Sequence, residues 1–129
     1  MTIYKTGVDM MFIPRIKALL ESDETRAPKM FSKDELEYSK HPDGNWNFER
    51  LAARFAAKEA VLKAMGTGFS NGLYLHDVSV GKRENGEPYV ILSEKAQDIF
   101  KKQGGVYISI SLTHENEYAC AFVIATFDS

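Results

Sequence analysis

The 129-residue chain has one cysteine, Cys120, and therefore cannot close an internal disulfide. Set within the apolar run 119–125, this thiol reads as a buried core group rather than a catalytic one. Long apolar stretches are missing too: that same run, the longest, falls far short of the roughly 20 residues a membrane-spanning helix requires. Residues Met1 to Asp9 show no charged lead, apolar core and small-residue cleavage site, which points to the cytoplasm. Charge of one sign is equally scarce, with 16 Lys and Arg against 18 Asp and Glu and a formal net charge of -2. Scattered in this way, the charges create no overall field for nucleic acid or an anionic membrane, so any polyanion must be recognised locally. What is present is ordinary: 44% hydrophobic and 26% charged residues, as in a globular domain able to enclose a core without structural metal. Residues 1–129 are read as one domain.

Ile3 to Val8 reads as a strand, placing Asp9 near its C-terminal end, and Pro14 suits the first turn of a helix carrying Ile13, Ile16 and Leu20. Ser32-Lys33-Asp34-Glu35 has the capping-box pattern and should start a second helix, which the turn formers His41 to Asn45 end. From Phe48 to Met65 the chain is rich in Ala, Leu, Lys and Glu without Pro or Gly, and closes on Gly66-Thr67-Gly68, predicting a long helix with its C-cap. Leu73 to Val80 and Tyr89 to Leu92 read as strands joined through Asn85-Gly86, a hairpin signal. Ser93 caps a helix ending at Gly104-Gly105, and Val106 to Leu112 with Tyr118 to Phe127 form a last strand pair around a polar turn. This order contains no βαβ alternation and predicts an α+β fold with a mainly antiparallel sheet against the long helix.

Projected at about 100° per residue, Phe48, Leu51, Ala52, Phe55 and Leu62 fall in one stripe that should pack on the sheet, and Glu59 lies in its middle. A buried carboxylate costs several kcal/mol unless it is protonated, paired or bound to metal. Lys63, one turn on, is the simple partner. Asp9 is either a helix-capping aspartate or a second functional carboxylate; two carboxylates from separate elements would suit Mg²⁺, which fills its remaining positions with water and phosphate. His114 falls in the expected last turn and reads as a solvated loop residue, while Arg50 and Arg54 project to a solvated face of the long helix. Gly66-Thr67-Gly68 serves as a C-cap or as a backbone cradle for phosphate.

Three segments together resemble the holo-acyl-carrier-protein synthase family of 4′-phosphopantetheinyl transferases: Gly7-Val8-Asp9 leading to Ile13-Pro14-Arg15-Ile16, the block Arg54 to Gly68, and Ser109 to His114 with Tyr118 to Ala121. The resemblance runs through nearly the whole chain in the family's order. It implies a Mg²⁺ held by Asp9 and Glu59, and transfer of 4′-phosphopantetheine from coenzyme A to a serine of acyl carrier protein. The serine is deprotonated by Glu59 or a metal-bound water, and 3′,5′-ADP leaves. It further implies Lys63 on the phosphates, Arg54, Gly66 and Gly68 near them, His114 near the nucleotide, and a homotrimer whose sites form between subunits, which would take Arg54 off its solvated face. Arg15 and Arg26 are the candidates for docking the acidic carrier, although Glu21, Asp23 and Glu24 sit where more positive charge would be expected. Two other readings fit the composition. A hotdog-fold acyl-thioester enzyme requires an unbroken run of strands after the long helix, which a helix from Ser93 would interrupt; a non-catalytic oligomeric module requires Glu59 and Lys63 to be a structural pair.

Overall fold

The structure is a computed structural model that describes residues 1–68 and 72–129. Strand β1 spans Thr2–Phe12 and runs directly into α1, Ile13–Ser22, whose second residue is Pro14. A 3₁₀ turn capped by Asp23 leads to the short α2, Ala27–Met30, and then to α3, Lys33–Tyr38. The capping box forms as expected: Ser32 Oγ accepts the Glu35 N–H at 3.2 Å and Glu35 Oε1 accepts the Ser32 N–H at 2.9 Å. The long helix α4 covers Phe48–Met65 and stops where Gly66 turns to φ 73°, a left-handed conformation that costs glycine nothing. Hairpin strands β2, Val78–Lys82, and β3, Pro88–Leu92, precede α5, Glu94–Lys102, and the chain ends with β4, Gly105–Glu115, and β5, Tyr118–Asp128. The strand expected from Leu73 begins only at Val78, because Leu75–Asp77 is a 3₁₀ turn tied by the Asp77 carboxylate to the Tyr74 N–H at 2.8 Å.

All pairing is antiparallel, in one sheet ordered β1-β5-β4 and a separate β2-β3 hairpin, so the fold is α+β. Strand β5 alternates strictly, with Ala119, Ala121, Val123, Ala125 and Phe127 buried toward α4. Small side chains let the helix sit close to the sheet, and at Gly7 an added Cβ would stand 1.9 Å from the Ala60 carbonyl oxygen. On its other sides α4 meets α1, α3 and β2, and so is buried around most of its circumference. The single-stripe projection misses this enclosure. The charge sealed in the core is Lys58, fully buried, while Glu59 is half-buried at an edge alongside Phe55. Cys120 is likewise not a core thiol: it is partly exposed on the sheet face turned away from α4, opposite Met10 and Thr113.

Candidate functional site

Asp9 follows Gly7 on the face of β1 that meets α4, and the close approach at Gly7 sets its carboxylate beside the helix. Strand β1 continues to Phe12, and α1 begins without a side-chain cap, so Asp9 is not a helix-capping residue. Lys63 Nζ donates to Asp9 Oδ1 at 3.1 Å and to the Val8 carbonyl at 3.0 Å. The expected Glu59–Lys63 pair is therefore not made. The reason is geometric, since the β1 backbone and Asp9 together offer the ammonium two acceptors within reach. Among the described residues no hydrogen bond or ion pair engages the Glu59 carboxylate. Partial burial raises its pKa, the nearby Asp9 charge raises it further, and Lys63 only partly offsets them. The cluster is open enough for a ligand, with the Asp9 side chain 21% and the Lys63 side chain 55% exposed.

A second group forms at the other flank of α4. A cleft of about 330 Å³ is lined by Tyr38, Arg50, Arg54, Thr113 and His114 among others, and contains none of Asp9, Glu59 or Lys63. Arg54 is not on a solvated face: it is 5% exposed, with its guanidinium 4.3 Å from the Tyr38 ring centroid. A single-helix projection cannot see α3, which brings Tyr38 over it. Burial lowers the Arg54 pKa against the opposing pull of Tyr38 and Glu35. Burial alone would raise the Tyr38 pKa, but the hydrogen bond from Lys82 and the charges of Arg50, Lys82 and Arg54 outweigh it and bring the phenol below its ordinary value. His114 lies within β4 rather than in a turn, its Nδ1 3.6 Å from Glu49 Oε2 at the start of α4.

The remaining expected residues fall apart from both groups. The Gly66 N–H is spent on the Lys63 and Leu62 carbonyls, so it caps the helix rather than facing a ligand, and Gly68 also takes a positive φ, 53°. Arg15 is exposed on α1, whereas Arg26 Nη1 donates to the Leu19 carbonyl at 3.1 Å and to Ser22 Oγ at 2.8 Å, satisfying the end of α1. The sequence reading missed Tyr38 and the buried pair of Lys58 with Glu35 (2.5 Å). Glu35 was already accounted for by its capping box, and nothing in the linear pattern couples Tyr38 to the arginines of the next helix.

Comparison with known proteins identifies the family and the fold. The family model of the 4′-phosphopantetheinyl transferase superfamily matches residues 5–123. A holo-[acyl-carrier-protein] synthase of Clostridium kluyveri is 39% identical over 126 residues, covering 98% of this chain and 92% of that protein. Among solved structures, the Neisseria meningitidis synthase superposes with TM-score 0.84 at 29% identity, covering 94% of this chain and 96% of that one. The Helicobacter pylori synthase, solved in complex with coenzyme A, superposes with TM-score 0.79 at 26% identity, covering 93% and 98%. In sequence and in the order of its strands and helices, this chain belongs to the 4′-phosphopantetheinyl transferase superfamily, among the holo-[acyl-carrier-protein] synthases.

Proposed function

We propose that the chain transfers 4′-phosphopantetheine from coenzyme A to a serine of apo-acyl carrier protein, with Asp9 and Glu59 as Mg²⁺ ligands. The observation that carries this reading is the half-open Asp9, Glu59 and Lys63 cluster, in which one carboxylate lacks a protein partner among the described residues. Among the described residues, no group of three or more His, Cys, Asp or Glu gathers there to form a closed cage. Two carboxylates facing open space suit Mg²⁺, which takes few protein oxygens and completes its shell with water and phosphate. Bound there, the ion would neutralise charge developing on the transferred phosphoryl group.

The residues of the chain supply the proton movements. The ionised Glu59 carboxylate takes the serine hydroxyl proton on one of its oxygens. The serine oxygen then bonds to the β-phosphorus of coenzyme A as the bond to the bridging oxygen breaks. Lys63 Nζ, at the mouth of the cluster, stabilises or protonates the departing phosphate of 3′,5′-ADP. Arg54 and His114 line a separate cleft, which supports a site shared between subunits, and the resemblance implies a homotrimer. The outer sheet face supports association, since Val8, Met10, Phe122 and Ile124 stand exposed upon it. Exposed Arg15 is the stronger docking candidate for the acidic carrier, because Arg26 is already committed to α1.

Two other readings lose support. Helix α5 breaks the strand run that a hotdog fold needs, and a module built on a Glu59–Lys63 structural pair lacks that pair. Incubation with apo-carrier protein, coenzyme A and Mg²⁺, followed by intact mass, tests the proposal: a phosphopantetheine adduct is expected, and its absence from a carrier that another synthase modifies would overturn it.

A further inference from the structure

Lys63 belongs to the last turn of α4, yet its ammonium is spent on β1, on Asp9 Oδ1 at 3.1 Å and the Val8 carbonyl at 3.0 Å. The open cluster is thus paired on one side only: Asp9 holds Lys63, while Glu59 beside it has no ion pair among the described residues. The pair is loosely held. Its side chains are 55% exposed at Lys63 and 21% at Asp9, and at such exposure water and salt compete for both partners. A flexible four-carbon stem lets the ammonium swing away without any movement of the helix. Lys58 on the same helix is the opposite case, fully enclosed between Glu35 and the Val78 carbonyl.

Two carboxylates and one ammonium leave the open cluster with one net negative charge. A divalent cation taken up beside the resident ammonium would turn this into one net positive charge, with both cations crowded on Asp9. Like charges a few ångströms apart repel. If the ammonium departs instead, the divalent cation and the two carboxylates cancel, so exchange is favoured over addition. We propose that Lys63 is a displaceable counter-ion: it neutralises Asp9 until a divalent cation takes up the two carboxylates, and its release from β1 frees the ammonium for the phosphates. The inference rests on the Mg²⁺ reading above and gives that site an order of events. A phosphate ester that meets the metal-free chain finds Lys63 committed to Asp9.

The test follows the Lys63 ammonium by NMR in the full chain, with isotopic nitrogen in its lysines, at low temperature and without coenzyme A, as Mg²⁺ is added. Calorimetry of the same titration gives the dissociation constant. In the metal-free chain the ammonium should be motionally restricted, and saturating Mg²⁺ should make it as mobile as it is in Asp9→Asn, while Lys58 stays restricted throughout. Lys63→Met, with no ammonium to displace, is expected to bind Mg²⁺ at least about fivefold more tightly than wild type, the equivalent of one exposed ion pair. A Lys63 ammonium equally restricted with and without bound Mg²⁺ overturns the exchange, and so does equal affinity in wild type and Lys63→Met. Absence of Mg²⁺ binding to either chain without coenzyme A also overturns it. Absence with coenzyme A present overturns the Mg²⁺ reading itself and this inference with it.

Discussion

Lys58 and Glu59 are neighbours on α4, about 100° apart around the helix, and they end in opposite electrostatic settings. Lys58 is fully buried and saturated: Nζ donates to Glu35 Oε1 and to the Val78 carbonyl, and Glu35 Oε2 accepts the Val80 N–H at 2.9 Å. This knot ties α3, α4 and β2 together. Glu59 faces Asp9 instead, a second carboxylate, and the nearby Lys63 ammonium is bonded to Asp9. A sealed charge with every partner present serves the fold. A half-open charge set beside its own kind is unfavourable until a cation arrives, and that is the mark of a binding site.

The largest effect should come from breaking the sealed cluster. Lys58→Met leaves the Glu35 carboxylate buried without its cation, and removal of one partner of a buried pair costs about 3–5 kcal/mol. The expected result is a lower urea midpoint at unchanged m-value. A loss below about 1 kcal/mol, the range of an exposed pair, would mean that Lys58 and Glu35 are not a desolvated unit.

The open cluster should respond the other way, keeping its fold and losing its chemistry. Glu59→Gln retains shape and removes charge, and is expected to lower transfer activity at least about a hundredfold, roughly 3 kcal/mol of barrier, with no loss of urea stability. Full activity in this variant would remove Glu59 from both the metal and the base roles.

These contrasts also mark where linear reasoning runs out. The first turn of α1 with its Pro14, the Ser32 capping box, the full extent of α4 and the Ser93 cap each depend on residues within a few positions, and all could be read from local pattern. Asp9 stood out as a carboxylate at the end of an apolar strand. Whether Glu59 or Lys58 carries the sealed charge depends on α1, α3 and β2 closing over the far side of α4, and a one-helix projection holds no information about them. Lys63 was expected to bond Glu59 because sequence distance favours that pair, yet Asp9, 54 positions away, is the partner. Tyr38 escaped notice for the same reason.

Gly7→Ala tests the geometry that keeps the clusters different. The new Cβ would meet the Ala60 carbonyl oxygen at 1.9 Å, so β1 must move off α4 and carry Asp9 with it. Overpacking of this kind costs about 1–3 kcal/mol. The apparent affinity for Mg²⁺, followed by activity at saturating coenzyme A, should fall as well, because Asp9 leaves Glu59. Unchanged Mg²⁺ dependence alongside lost stability would separate the metal site from the β1–α4 approach.

The smallest effect is the most specific to the open cluster. Burial, then the Asp9 charge, raises the Glu59 pKa above its ordinary 4.5 against the pull of Lys63. A carboxyl whose pKa is higher folded than unfolded favours the native state when protonated; that contribution is complete below the unfolded pKa and is lost as pH rises through the folded one. At neutral pH the wild type therefore bears an unfavourable charge that Glu59→Gln does not. The variant should be slightly more stable than wild type at pH 7 without metal, and the difference should shrink to nothing as the pH falls below the ordinary carboxyl value. Mg²⁺ with coenzyme A should reverse the order at pH 7, since a ligand that binds the wild-type native state more tightly stabilises it more. Thermal melts at the two pH values, with and without ligand, read all three comparisons. A variant less stable than wild type in metal-free neutral buffer would mean that Glu59 has a favourable partner in the protein, and the open cluster would then be a second structural knot like that of Lys58.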